Sequence, residues 1–258
     1  MAREPKPSRF GWKFWVTVLC WCAVFVSTAV AARHVHQFVI TDPQFTLSPD
    51  RRDALLIEGV RYASRWKIRR VFAGDFGRSI FAFSPAERRR RLLAVDWVEQ
   101  ASVSRIWPNQ VVVRITERVP VAFVTLRGPV TRAARAMLID RQGVLLEPPP
   151  RSHFAFPVLA GITEQETESE RARKVRRMLE VTDELGTLAS GVSEVRVAGE
   201  DVTIWAKVRG RLIELQLGNG NFAHRFQNFL DHYAEIQKRS ENVNTFDLRL
   251  DDRITARE

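Results

Sequence analysis

A chain of 258 residues has room for two small domains, and its 45% hydrophobic and 27% charged content is that of folded protein rather than a disordered tail. The formal charge of +10 comes far more from arginine than from lysine, and the arginines are scattered, with Arg88–Arg91 the one local run, so a nucleic-acid-binding face is not indicated. Cys20 and Cys22 both lie in the most apolar segment, where side chains two apart on a helix diverge by roughly 200°, so no disulfide is expected anywhere in the chain.

Phe14 to Ala32 carries no charge. At 1.5 Å per helical residue it spans about 28 Å, close to the ~30 Å hydrocarbon core of a bilayer. Trp12, Lys13 and Trp15 stand at its start as interface anchors. Arg3, Lys6, Arg9 and Lys13 lead into it, while Arg33 alone follows closely, so the positive-inside rule keeps the N-terminus in the cytoplasm and exports the rest. The rival is a cleaved signal peptide, since Ala29-Val30-Ala31 has the small-x-small form; the length of the apolar run and its large aromatics favour an uncleaved helix. Either way the body lies outside the cytoplasm, which argues against a nucleic-acid partner.

Residues 33–53, with Pro43 and Pro49, read as a polar spacer. Leu55-Leu56-Ile57, closed by Gly59, reads as a buried strand, and Tyr62–Phe72 as a helix with a rough apolar face. Ile80–Phe83 reads as a short extended piece. Ser84-Pro85-Ala86-Glu87 is a capping-box start for a helix to about Ala94, burying Leu92, Leu93 and Val95. Two strands follow, Val98–Trp107 and Val111–Glu117, joined at Pro108-Asn109.

Beyond Arg118 the strand-like runs are Pro120–Leu126, Met137–Asp140, Val144–Leu146, Val192–Val197, Val202–Ala206, Leu212–Leu217 and Phe246–Leu250. Asp140–Gly143 forms a hairpin loop. One helix starts near Thr163, with Glu166 three residues on, and stops at Gly186. Another covers about Asn221–Ser240, its stripe running Phe222, Phe226, Phe229, Tyr233, Ile236. The fold class is α+β: one N-terminal transmembrane helix, a small βααββ domain, then a mostly antiparallel β domain with two helices.

Candidate chemistry is sparse. His34 and His36 would share a face of a strand, but no further ligand accompanies them, and juxtamembrane histidines explain them better than a metal. Gly218-Asn219-Gly220-Asn221 lacks the spacing and trailing lysine of a phosphate loop and reads as a strand-to-helix turn. The exported part has no GxSxG element and no cysteine nucleophile. Glu164, Glu166, Glu168 and Glu170 suit a helix start, and neither they nor Asp247, Asp251 and Asp252 single out a catalytic pair. No catalytic residue, metal, cofactor or small-molecule substrate is expected.

The stretch Arg78–Phe123 carries a family likeness: Leu92-Leu93-Ala94-Val95-Asp96-Trp97-Val98, then Arg105-Ile106-Trp107-Pro108-Asn109, then Thr116-Glu117-Arg118-Val119-Pro120-Val121-Ala122. With Leu138–Leu145, Phe156–Gly161 and Asp247-Leu248-Arg249 in the same order, it resembles the FtsQ/DivIB family of bacterial division proteins. The resemblance implies a cytoplasmic tail (1–12), a transmembrane helix (13–32), a spacer (33–53), a POTRA-like domain (54–117), a β domain (118–250) and a C-terminal tail (251–258). The chain departs from the family's pattern in two places: Ile57-Glu58-Gly59 stands for the opening V-x-G after a long spacer, and Leu250 stands where an aromatic often follows Asp-Leu-Arg. Trp97 and Val98 would plug the small core, Pro108 would suit a tight turn, Arg105 and Trp107 would be further structural residues of the motif, and Glu117, Arg118 and Pro120 would mark the domain crossing, where an ion pair would fix the angle.

The resemblance further implies a non-enzymatic scaffold in the inner membrane at the division site. Its partners would be an FtsB/FtsL-like pair and other divisome membrane proteins. An added partner strand would lie on an exposed edge at Thr245, Phe246, Asp247, Leu248, Arg249 and Leu250. The bland reading of that segment is a core face of Phe246, Leu248 and Leu250 with solvated Asp247 and Arg249. The other readings are an envelope assembly or secretion accessory with one POTRA module, and a secreted hydrolase.

Overall fold

The computed structural model describes residues 11–127, 134–239 and 243–257, which fall into two compact units, Met1–Glu117 and Arg118–Glu258. The basic residues Arg3, Lys6 and Arg9 and the helix end at Ser240 lie outside the described residues.

The first unit opens with helix α1, Trp12–Thr41. It continues well past the end of the charge-free run, because its stop is set by chain chemistry rather than by hydropathy. Pro43 disfavours helical backbone at the residue before it, and Asp42 is extended, with φ −72° and ψ 130°. The expected spacer is therefore partly helix and partly docked chain. Phe45 and Leu47 are buried, Thr46 bridges Ser79, and the Ile80 N–H donates to the Phe45 carbonyl at 2.8 Å. His34 and His36 sit on α1, not on a strand.

The rest of this unit is β1 (Leu55–Glu58), α2 (Arg65–Val71), α3 (Pro85–Leu93), β2 (Val98–Ile106) and β3 (Gln110–Glu117). The sheet order is β1-β3-β2, with β1 parallel and β2 antiparallel to β3. Gly59, at φ +76°, is needed where it stands, since a Cβ there would meet the Ile115 carbonyl oxygen at 2.0 Å. Helix α2 begins later than expected, because the Glu117 carboxylate takes the N–H groups of Arg61, Tyr62 and Ala63 at 2.7–2.8 Å, and Ser64 then caps the helix. At α3, Ser84 caps Glu87 N–H as expected, but the Glu87 carboxylate turns to Arg88 and Arg91, so only half the box forms. Ile80–Phe83 is a turn, not a strand, and Leu93 is exposed while Leu92 is fully buried.

The second unit is built on a nine-stranded mixed sheet: β4 (Pro120–Arg127), β5 (Ala134–Asp140), β6 (Leu145–Leu146), β7 (Val158–Ala160), β8 (Val192–Ala198), β9 (Asp201–Val208), β10 (Arg211–Gly218), β11 (Thr245–Asp247) and β12 (Thr255–Arg257). Its order is β12-β11-β10-β9-β8-β7-β4-β5-β6. Antiparallel pairing dominates; β4·β7, β7·β8 and β10·β11 are parallel. The outer strands are too short to show periodicity, and β12 occupies what reads as a tail.

Helices α4 (Glu168–Leu185) and α5 (Phe222–Arg239) supply Val175, Met178, Val181, Phe222, Phe226, Phe229 and Tyr233 to one core with the sheet. Two T-x-x-E pairs compete for the start of α4. Glu166 closes back on Thr163 and Lys174, whereas Thr167 and Glu170 make the reciprocal capping box, so the helix begins after Thr167.

Candidate partner-binding edge

The residues expected to shape the small domain fall into three sets. Trp97 and Val98 are buried at 4% and 1% exposure, with the Trp97 ring 5.1 Å from that of Tyr62. Arg105 donates to the Phe83 carbonyl and lies over the Phe81 and Phe83 rings. Trp107 is 70% exposed, so it shapes no core; its peptide bond to Pro108 is cis. Glu117 serves the backbone before α2 within the first unit. Arg118 instead donates to Asp140 at 2.7 Å within the second, and Pro120 opens β4 opposite Asp140. The ion pair expected at that junction is thus replaced by two separate anchors.

At the far end of the large sheet, β10 pairs parallel with β11 through Glu214↔Thr245, Leu215↔Phe246 and Gln216↔Asp247. Phe246 points into the core, its ring 5.1 Å from Phe229, and Leu248 is buried at 2%. The expected exposed edge on this segment is corrected: β11 is covered by β12, antiparallel through Thr245↔Arg257, Phe246↔Ala256 and Asp247↔Thr255. The outermost strand is β12, whose three residues are all exposed, and its outer rim has no strand partner among the described residues. A three-residue strand with no apolar alternation leaves no trace in the sequence.

Only the polar and terminal members of the expected set reach the surface. Asp247 accepts from Arg249 Nη2 at 2.7 Å and pairs with Arg257 at 3.0 Å. The Arg249 hydrogen bond holds the Asp247 carboxyl below the usual carboxylate range, against the opposing effect of burial. Beside it, Arg225 donates to Asp251 at 2.7 Å and lowers that carboxyl likewise. Leu250 is 55% exposed. Asp247, Arg249, Arg225 and Leu250, together with Asp201, Asn219, Arg253 and Thr255, line a cleft of about 350 Å³ that reaches β12 at Thr255. Arg253 stands just beyond the expected segment, whereas Arg225 and β12 were not anticipated as part of the site.

What this arrangement offers is recognition rather than catalysis. Asp247 and Asp251 are paired with arginines and depressed, not raised toward a general acid. Among the described residues, no group of three His, Cys, Asp or Glu side chains is placed to hold a metal ion.

Residues 53–118 match the family model "POTRA domain, FtsQ-type", and residues 130–249 match "Cell division protein FtsQ/DivIB, C-terminal". The chain is 35% identical over 211 residues to the cell division protein FtsQ of Koribacter versatilis, covering 78% of this chain and 58% of that relative. It is 35% identical over 86 residues to the Bordetella pertussis FtsQ, covering 33% and 32%, and 23% identical over 217 residues to that of Salinibacter ruber, covering 80% and 82%. The match thus spans less than two thirds of the Koribacter and Bordetella relatives.

Proposed function

We propose, from the premise that this chain belongs to the FtsQ/DivIB family, that it is a non-enzymatic scaffold of the cell division machinery. In this reading α1 spans the inner membrane with its N-terminus in the cytoplasm, and the two units stand outside at the division site. An FtsB/FtsL-like pair is held by strand addition at the far end of the β domain. The observation that carries the reading is the open rim of β12. Unpaired backbone N–H and C=O groups there can accept a further strand, while the neighbouring cleft with Leu250, Arg249 and Arg253 supplies side-chain selectivity.

Capture of an FtsB/FtsL-like pair by the full chain in detergent tests this. Leu250→Glu and a truncation after Arg253, which removes β12, are compared with the wild type. Both are expected to lose the partner while the helical and sheet signals of the body persist. Undiminished capture by both folded variants would rule the edge out.

A further inference from the structure

Helix α1 leads directly into an exposed aromatic patch on the small domain. The charge-free run ends at Ala32, and Phe38 lies six residues on, about 9 Å along the axis. Helical side chains lean back toward the N-terminus, and the headgroup layer is about 5–8 Å deep on each side of a bilayer, so the Phe38 ring stands at headgroup depth. From there a chain of rings runs Phe38 to Phe45 at 5.9 Å, Phe45 to Phe81 at 5.7 Å, and Phe45 to Trp107 at 6.1 Å between centroids. The junction is fastened, since Ser79 Oγ donates to the Val39 carbonyl at 2.8 Å and Thr46 bridges Ser79.

Only Phe45 in this chain of rings is buried. Phe81 is 39%, Ile106 44%, Phe38 54% and Trp107 70% exposed. Apolar surface at the tip of the β2–β3 turn does nothing for the core of this unit. Arg105 lies over Phe81, and Arg33 and Arg78 are exposed on the neighbouring segments. Tryptophan, phenylalanine and arginine gathered beside the exit of an apolar helix are the chemistry of a lipid headgroup interface.

We infer that Phe38, Phe81, Ile106 and Trp107 seat in the headgroup layer where α1 emerges. The small domain is then held flat on the membrane surface rather than swinging on a tether. The inference rests on reading α1 as a membrane span.

The test uses the full chain with Cys20→Ser and Cys22→Ser, carrying one new cysteine at a time: Ile106→Cys, Trp107→Cys, Trp66→Cys or Leu19→Cys. Each is labelled with an environment-sensitive fluorophore in nanodiscs of phosphatidylethanolamine and phosphatidylglycerol, with a nitroxide either at the headgroup or deep in the acyl chain. Trp66, 63% exposed on α2 and outside the chain of rings, is the comparison site on the same domain, and the Ile106 label leaves Trp107 in place. The headgroup nitroxide is expected to quench the 106 and 107 labels at least about twofold more than the 66 label, as for an interfacial aromatic belt. The deep nitroxide should quench the 19 label. Labels at 106 and 107 quenched no more than that at 66, with 19 still quenched, overturn the inference and leave the span standing. An unquenched 19 label removes the span and the inference with it.

Discussion

Asp140 and Asp247 each close a strand of the same sheet and each meet an arginine, yet the surroundings of the two carboxylates differ. Asp140 is 1% exposed; it accepts from the N–H groups of Gln142 and Val144 at 2.9 and 2.8 Å and from Arg118 at 2.7 Å. Asp247 is half-buried, and its partner Arg249 leaves 46% of its side chain to solvent beside an unpaired strand rim. Similar chemistry thus gives a closed knot at the β5–β6 hairpin and an open one at β11–β12. In the first, the carboxylate is taken up by the turn it stabilises and by Arg118. In the second, the ion pair shapes a rim that still has hydrogen-bonding capacity for another chain.

Removing the carboxylate from the closed knot has the largest expected effect. Asp140→Ala strands a mostly buried Arg118 charge and two turn N–H groups, at a cost of about 3–5 kcal/mol. Thermal melting reads this; a loss below about 1 kcal/mol would mean that water or a neighbour replaces the acceptor. Next comes Leu248→Glu, which places a carboxylate at a site 2% exposed. It is expected to release β11 and β12 from β10, at a cost of about 2–5 kcal/mol, visible as faster exchange of the Leu248 amide that donates to Gln216 at 2.9 Å. Loss of a partner by this variant therefore says nothing about the rim, which is why Leu250, on the exposed side, is the sharper probe. At the open knot, Arg249→Ala is expected to leave the thermal melting of the domain close to that of the wild type, since Arg249 is solvent-screened and Arg257 still faces Asp247. A large stability loss would make that knot structural after all and erase the contrast with Asp140.

How much of this was legible beforehand follows the same division. The α5 stripe from Phe222 to Ile236 is visible because aromatic side chains at helical spacing gather on a single face, and a face that apolar must be covered. The family likeness is legible because Trp97-Val98, Trp107-Pro108 and Glu117-Arg118 fall in a fixed order. What escaped depends on contacts far apart in sequence. Glu117 delays α2 from 54 to 56 residues away, and β12 exists only because β11 is there to pair with. Thr163-x-x-Glu166 and Thr167-x-x-Glu170 carry the same local signal, and only the second closes as a reciprocal box, Glu166 being drawn to Lys174 eight residues on. The edge at Thr245–Asp247 is taken by β12 for the same reason: Phe246 and Leu248 read as one face of a strand, and nothing in their own residues says that the rim beside them is occupied.

The smallest expected effect is the most specific to the open knot. Asp247 titrates below its ordinary value of 3.8, chiefly through its hydrogen bond from Arg249. A depressed carboxyl stabilises the fold fully above its unfolded value and loses that contribution as pH falls through the lower folded value. Loosening at β11–β12 should therefore begin below about pH 4 and grow toward pH 2, in line with the ordinary carboxylate range. Because Arg249 is half in solvent, the effect should stay under about 1 kcal/mol and shrink in high salt. The measurement is amide exchange at Leu248 and Arg249, corrected for intrinsic rates, in wild type and Arg249→Ala. The variant should lose most of the acid dependence, since the Arg249 hydrogen bond is the largest influence lowering that carboxyl and the remaining cation, Arg257, is the smallest. An unchanged acid profile would mean that the low value of Asp247 comes from elsewhere in the fold, and that Arg249 is wholly available to a partner.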